Sequence, residues 1–442
     1  MEDLSLLHPG ERVRIDADAA ADGVGTLIAP ASVIVEGTAS GSLRLRACGS
    51  PREVDGAAAG ARRVDRSGCV LLPALVNAHT HLDLTHIGPK EYEPARGFMG
   101  FVANVLPNRL KNEASIAASV RRGAELSRAG GVVAVGDIAG VVEGAPSLAA
   151  SRALDATGLL GVSYVEFFAI GNGEERNLAA LGLVIGSPEW RAWRGERVRL
   201  GVSPHAPYTV SAHAFERALA MTESPVCTHL AENAEEREFI GRGAGPFRDF
   251  HDRLGLWNDT TARSIGRGLD PIEHMRPVLR RGTQPMLLAH VNDCDDAGLA
   301  TIAASGASVA YCPRSSAYFL NHESFGPHRY RDMLRAGINV CLGTDSVINI
   351  TDGTAAGFEA RLSTLDEARF LLGRDGTSAS TLLKMATVNG ALALGLDPAL
   401  FTLSGGPKHM AGLICVEAPG RGGPLDRVLS GTTRPQLIRG TG

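Results

Sequence analysis

The chain has 442 residues, of which 44% are hydrophobic and 21% charged, with a formal net charge of −4 at pH 7. That length exceeds what one ordinary hydrophobic core organises, and favours one large barrel with a smaller attachment, or two domains. The composition is that of a globular protein, and the slightly acidic balance excludes a basic nucleic-acid face and a juxtamembrane Lys/Arg cluster, leaving a small molecule as the expected partner.

The opening stretch MEDLSLLHPGERVRID lacks the basic segment and apolar core of an export signal, and no apolar run reaches the roughly 20 residues that cross a bilayer. A cytoplasmic location is expected. Seven scattered cysteines without CxxC spacing agree with it as reduced thiols. Residues 1–71 carry short β-prone runs at 32–36, 42–47 and 69–72, which predict the first part of a small β-sandwich domain. The sequence GAAAGAR at 56–62 predicts a mobile loop between them.

From Pro73 onward apolar strands alternate with amphipathic stretches such as 114–129, which Gly130 and Gly131 follow. Strands are expected at 70–78, 132–137, 159–166, 198–205, 226–230, 286–290, 308–312 and 339–345. Eight strands alternating with helices predict an α/β fold, a (β/α)8 TIM barrel over 72–405. After a helical stretch at 378–394, a new β run at 412–416 leads a tail, 406–442, expected to return to the β-sandwich.

The polar residues of these strands fall at their C-terminal ends, the face that carries chemistry in such barrels. His79 and His81 follow LLPALV two residues apart, which projects both side chains to one side of an extended backbone. An HxH alone says little. His229 in VCTHLAEN, with Glu232 three residues later, Asp345 in VCLGTDS and His290 in LLAHVND add three more strand ends of the same kind. Three neutral imidazoles and a carboxylate, with His290 beside them and a position open for water, suit a catalytic divalent ion.

On these residues the sequence resembles the amidohydrolase superfamily, in the branch of chlorohydrolases and the guanine, S-adenosylhomocysteine and aminofutalosine deaminases. The resemblance runs from about residue 68 to 416 through PALVNAHTHLDL, SPHAPYTVS, THLAE, LAHV, AYCPRSS, AGINVCLGTDS and ATVNGALALGL. It implies His79, His81, His229 and Asp345 as metal ligands, and Glu232 and His290 as acid–base groups. Asp345 would also take a proton from water while ligating. One divalent ion is implied, zinc first, with iron or nickel suiting the same donors.

Superfamily members that open amide rings bridge two metals with a carbamylated lysine after the fourth strand. Here no lysine lies between Lys111 and Lys384, so that bridge has no residue to form it. Cys312 lacks the partner that zinc deaminases of the P-C-x-x-C type require.

The resemblance further implies His205 of SPHAPYTVS as a substrate-binding residue. Glu166, at the end of the third strand, is expected either behind a ligand histidine or against the substrate. Arg109 lies in the segment 97–112 that covers the substrate, near the place where S-adenosylhomocysteine deaminases hold ribose hydroxyls with a glutamate, and is expected to meet a substrate carboxylate. His8, His86, His213, His251, His274, His322, His328 and His409 read as surface or capping residues. Arg314 reads as loop structure or oligomer contact, and Cys227, Cys312 and Cys341 as small core residues.

The expected reaction is hydrolytic deamination of an adenine-type nucleoside, with 6-amino-6-deoxyfutalosine as candidate on the strength of HTHLDLTH and Tyr164–Glu166. S-adenosylhomocysteine, methylthioadenosine, guanine and chlorotriazines are the alternatives within the class. A non-catalytic scaffold barrel is the alternative outside it, and such relatives lose ligands that this chain retains. Neither nucleic acid nor membrane is expected as a partner, and the resemblance admits a homo-oligomer.

Overall fold

The computed structural model describes residues 4–357 and 360–441. Eight short apolar runs, Leu75–Thr80, Val132–Ala139, Leu160–Phe167, Val198–Pro204, Val226–Leu230, Met286–His290, Ser308–Tyr311 and Val340–Leu342, form one parallel sheet. Nearly all of their residues are buried, as strands covered on both faces must be. Neighbours follow chain order, and a parallel bridge between Thr80 and Asp345 brings the last strand to the first, so the sheet curls into the expected (β/α)8 barrel. Crossover helices are specified locally: Ile116, Val120 and Ala124 repeat at four-residue spacing along the buried side of Glu113–Ala129. The helices Ala212–Met221 and Asp296–Ser305 begin at Ser211 and Asp295, whose side chains accept backbone N–H groups of the first turn.

Both chain ends supply a second, nine-stranded sheet. Its order is Leu6–Leu7, Gln436–Gly440, Leu413–Glu417, Arg62–Pro73, Arg12–Ala21, Ala31–Gly37, Leu43–Gly49 and Lys408–Met410, with Leu27–Ile28 beside Arg12–Ala21. Its core draws on both ends through Val13, Ile15, Val33, Leu43, Leu413 and Ile438. The longest of the unforeseen strands, Arg12–Ala21, reads RVRIDADAAA, where Ala and Asp carry little β propensity and most residues are buried.

Three sequence expectations shift. The run expected as a single strand at 70–78 divides at Ala74: Arg62–Pro73 belongs to the terminal sheet and Leu75–Thr80 to the barrel. Hydropathy is continuous across the switch, so the pattern cannot reveal it. The helical stretch 378–394 breaks at Thr387, whose hydroxyl donates to the Leu383 carbonyl at 2.7 Å, giving Ala379–Ala386 and Val388–Ala393. Within the expected loop at 56–62, the 3-10 turn Asp55–Ala57 covers the start and the strand Arg62–Pro73 takes over at the end.

The chain separates into two compact units. One comprises the segments up to Ala78 and from Gly353, with Glu125–Val135; the other comprises His79–Ala124 and Gly136–Asp352. Every residue singled out above for chemistry lies in the second. Among the described residues, no helix is long and apolar enough to cross a membrane.

Candidate metal centre

Pleating of the first barrel strand sends His79 and His81 one way and Thr80 the other, where its hydroxyl donates to the Asp345 carbonyl at 2.9 Å. The Thr344 and Asp345 N–H groups both donate to the His79 carbonyl at 3.1 Å, fixing the aspartate against the histidines. This approach requires Gly343, because a Cβ there would stand 2.9 Å from the His79 Cβ and carbonyl oxygen. Asp345 itself adopts a left-handed φ of 56°, as do Ala231 at 53° and His290 at 73°, so three of the strand ends that carry polar groups hold uncommon backbone.

These strand ends bring their side chains to one place. His81 Nε2 lies 3.2 Å from His229 Nε2, and Asp345 Oδ1 lies 3.5 Å from His81 Nε2 and 3.8 Å from His79 Nε2. His290 Nε2 is 3.5 Å from Glu232 Oε1. Three sets, His79 with His229 and His290, His79 with His81 and Asp345, and Glu232 with His290 and Asp345, each keep their ligating atoms within 4.8 Å of one another.

All of these side chains are buried, yet His79 Nε2 and His290 Nε2, which face the cluster, have no hydrogen-bond partner, and neither has His81 Nδ1 on the other edge of its ring. Buried polar atoms are almost always paired, so orphaned imidazole nitrogens converging on a carboxylate form a site shaped for a further group. Burial, reinforced by the neighbouring histidines, pushes the His79, His81 and His290 imidazoles well below their ordinary value, and neutral imidazole is the ligating form. His229 Nδ1 donates to the His205 carbonyl at 2.8 Å, which leaves the Nε2 lone pair for the cluster. Ser315 Oγ donates to Asp345 Oδ2 at 2.7 Å. Three or four imidazoles and one carboxylate fit a divalent ion.

Glu232 follows the left-handed Ala231 in a turn braced from behind. The Glu236 carboxylate accepts the N–H groups of Ala231 at 3.0 Å and Glu232 at 2.7 Å, and Asn292 Nδ2 donates to the Glu232 carbonyl at 2.9 Å. Tyr208 donates its hydroxyl to Glu232 Oε2 at 3.3 Å. Burial first, then the charges of Asp345 and Glu236, raise the Glu232 carboxyl well above the ordinary carboxylate range. None of Ser315, Glu236, Asn292 or Tyr208 was singled out in the sequence. Glu236 alone left a signal, since Asn233-x-x-Glu236 has the form of a helix-capping box.

Around this centre, His205 Nδ1 is 2.7 Å from Thr209 Oγ1, and its ring centroid is 4.9 Å from that of His229. Glu166, fully buried, accepts from Arg109 Nη2 at 3.0 Å, while Arg109 Nη1 is 3.5 Å from Asp83 Oδ2. Gly140 makes room for this group, because a Cβ there would meet Arg109 Nη1 at 2.0 Å. Burial pushes the Asp83 carboxyl up to about 6 against the pull of Arg109. The helix Gly97–Val105 brings Phe98 into an apolar cluster with Tyr208, Phe247 and Phe319. Arg314 is buried and pairs with Asp352 at 3.1 Å. Three histidines expected at the surface or in caps are instead buried: His251, His274 and His328. Each stands between an apolar and a charged residue, so the local sequence does not mark it as buried.

The profile of the amidohydrolase family matches residues 70–400. An aminodeoxyfutalosine deaminase of Deinococcus radiodurans is 31% identical over 334 residues, 74% of either chain. A 5-methylthioadenosine/S-adenosylhomocysteine deaminase of Symbiobacterium thermophilum is 26% identical over 379 residues, 84% of this chain and 78% of its own. The crystal structure of Helicobacter pylori aminofutalosine deaminase superposes with a TM-score of 0.71 at 20% identity, covering 96% of this chain and 97% of its own, a likeness of fold.

Proposed function

The chain belongs to the amidohydrolase family and is a hydrolase acting on carbon–nitrogen bonds, and from that premise we propose that it deaminates an adenine-type nucleoside, with 6-amino-6-deoxyfutalosine as the candidate substrate. The observation that carries this reading is a buried carboxyl of raised affinity for its proton, Glu232, 3.5 Å from His290 Nε2 beside a convergent histidine–aspartate cluster.

His79, His81, His229 and Asp345 are the residues that would hold the ion, with zinc the first candidate. A divalent ion supplies Lewis acidity there and lowers the pKa of water from about 15.7 towards roughly 7. Asp345 takes a proton from the attacking water, and Ser315 keeps its other oxygen occupied so that Oδ1 faces the histidines. Glu232, whose buried carboxyl is held towards its protonated form, gives its proton to the ring nitrogen next to the amino-bearing carbon, making that carbon electrophilic. His290 Nε2, aimed at the same carboxyl, orients the nucleophile. The proton held by Asp345 then passes to the departing amine, which leaves as ammonia, and the hydroxyl on the attacked carbon gives its proton back to Glu232 as the carbonyl forms. His205, packed against His229, would border the base.

A second reading has its own observation. Arg109 already pairs with Glu166 and lies near Asp83, so a substrate carboxylate would have to compete with two acids of the protein. That favours an uncharged nucleoside such as 5′-methylthioadenosine. Ammonia release from aminodeoxyfutalosine, 5′-methylthioadenosine, adenosine, guanine and a chlorotriazine tests the class. Arg109→Ala then separates the two readings. A loss of at least about thirtyfold in kcat/KM confined to the carboxylate-bearing substrate, from about 2 to 5 kcal/mol for such a contact, supports the first. Equal losses on both substrates support the second.

A further inference from the structure

We propose that His328 is a positioning residue: through its ring it holds the left-handed backbone of His290 and thereby the direction of the His290 side chain. This rests on the reading above, in which His290 orients the nucleophile.

His290 ends its barrel strand at a φ of 73°, and Val291 continues at 53°. Two successive left-handed residues, one of them β-branched, are unfavourable for L-amino acids and persist only where the surroundings impose them. The turn also swings the His290 carbonyl out of the parallel ladder, whose last register pair with the next strand is Ala289 with Ala310. The carbonyl finds its partner in a side chain distant in sequence, His328 Nε2, at 2.9 Å.

The protonation of that ring is determined by its other nitrogen. The Tyr330 N–H donates to His328 Nδ1 at 2.9 Å, so Nδ1 carries a lone pair and Nε2 carries the hydrogen. The ring is therefore a fixed neutral donor aimed at the His290 carbonyl. Its plane is fixed as well, since it stacks on Tyr311 with centroids 3.7 Å apart and an interplanar angle of 16°. Tyr311 closes the adjacent strand Ser308–Tyr311, so the donor is tied to the barrel rather than to a loop alone. His328 has no contact with the reacting atoms in this account; it acts only through His290, whose Nε2 must face Glu232 Oε1 and the histidine cluster.

Two variants divide the ring's two bonds. In His328→Gln the amide Nε2 can reach the place of the imidazole Nε2 and still donate to His290. In His328→Asn the amide oxygen can replace Nδ1 as acceptor for Tyr330, but no donor reaches His290. We expect His328→Asn to lower kcat at least about tenfold with KM within about twofold, and His328→Gln to recover most of the loss, the scale usual for residues that orient a metal site's side chains from behind. A readout independent of turnover is the visible spectrum of the cobalt-substituted full chain, which should shift in His328→Asn and return in His328→Gln. The ¹⁵N chemical shifts of His328 should report hydrogen on Nε2. Wild-type kcat and an unshifted cobalt spectrum in His328→Asn, or hydrogen on Nδ1, would overturn the proposal. So would a variant that loses thermal stability while its folded fraction turns over at the wild-type rate. If the wild type deaminates no substrate of the panel, the functional reading fails, and the spectrum and the chemical shifts still decide the role of His328.

Discussion

Arg361, in the unit built from the chain ends, and Glu232, in the other unit, are almost equally buried, at 5% and 4% exposed, and their surroundings treat that burial in opposite ways. Arg361 forms a forked pair with Asp366, at 2.7 Å and 3.2 Å, and adds the Thr432 carbonyl; Arg369 closes on the same carboxylate at 3.0 Å. Each of these charged groups has a charged partner within the fold. Glu232 instead faces a second acid, Asp345, and histidines whose nitrogens have no partner. A buried charge that the protein compensates itself is architecture. A buried cluster left short of partners is held ready for something that arrives later, which is why the second region and not the first reads as the site.

The strongest way to break this contrast is to remove a residue of the uncompensated cluster. Asp345→Asn and His229→Ala should abolish ammonia release and lose metal, while the protein stays folded by circular dichroism; full activity with full metal in either would remove the distinction. Glu232→Gln should keep the metal and slow turnover by at least about a hundredfold, the usual scale of positioned proton transfer. If that variant binds no metal, and metal added in excess restores its rate, Glu232 is structural and belongs with Arg361. Arg361→Ala sharpens the contrast from the other side. It leaves Asp366 with Arg369 as its remaining charged partner and should cost about 1.5 to 3 kcal/mol of stability in denaturant unfolding, with kcat per folded molecule unchanged. A fall in kcat without loss of stability would show that the compensated region also serves the reaction.

What could be read in the sequence follows the same division. His79, His81, His229, His290 and Asp345 were legible because each ends an apolar strand, where a polar residue conflicts with its surroundings. The barrel was legible because strand and helix alternate with distinct periods. Residues whose role depends on a distant partner were not. His328 sits among Pro327, Arg329 and Tyr330 with no periodicity, and only the fold places it under the His290 carbonyl. Ser315 is one hydroxyl of CPRSS until the last strand brings Asp345 to it. Arg109 could be assigned to the segment over the site, but its pairing with Glu166, 57 residues away in sequence, needed coordinates. The boundary at Ala74 was hidden for a different reason: the residues on either side of it, Val70 to Pro73 and Leu75 to Val76, are all apolar, and no side chain marks where one sheet ends and the other begins.

The most direct test of the central claim, that the histidine–aspartate cluster is completed by a divalent ion which the deamination needs, is elemental analysis of the wild-type chain purified without added metal, combined with ammonia release before chelation, after it and after zinc is returned. About one ion per chain is expected, with turnover lost when it is removed and regained when it is restored. Undiminished turnover in the metal-free protein, or a folded wild type that binds no divalent ion at all, would contradict it.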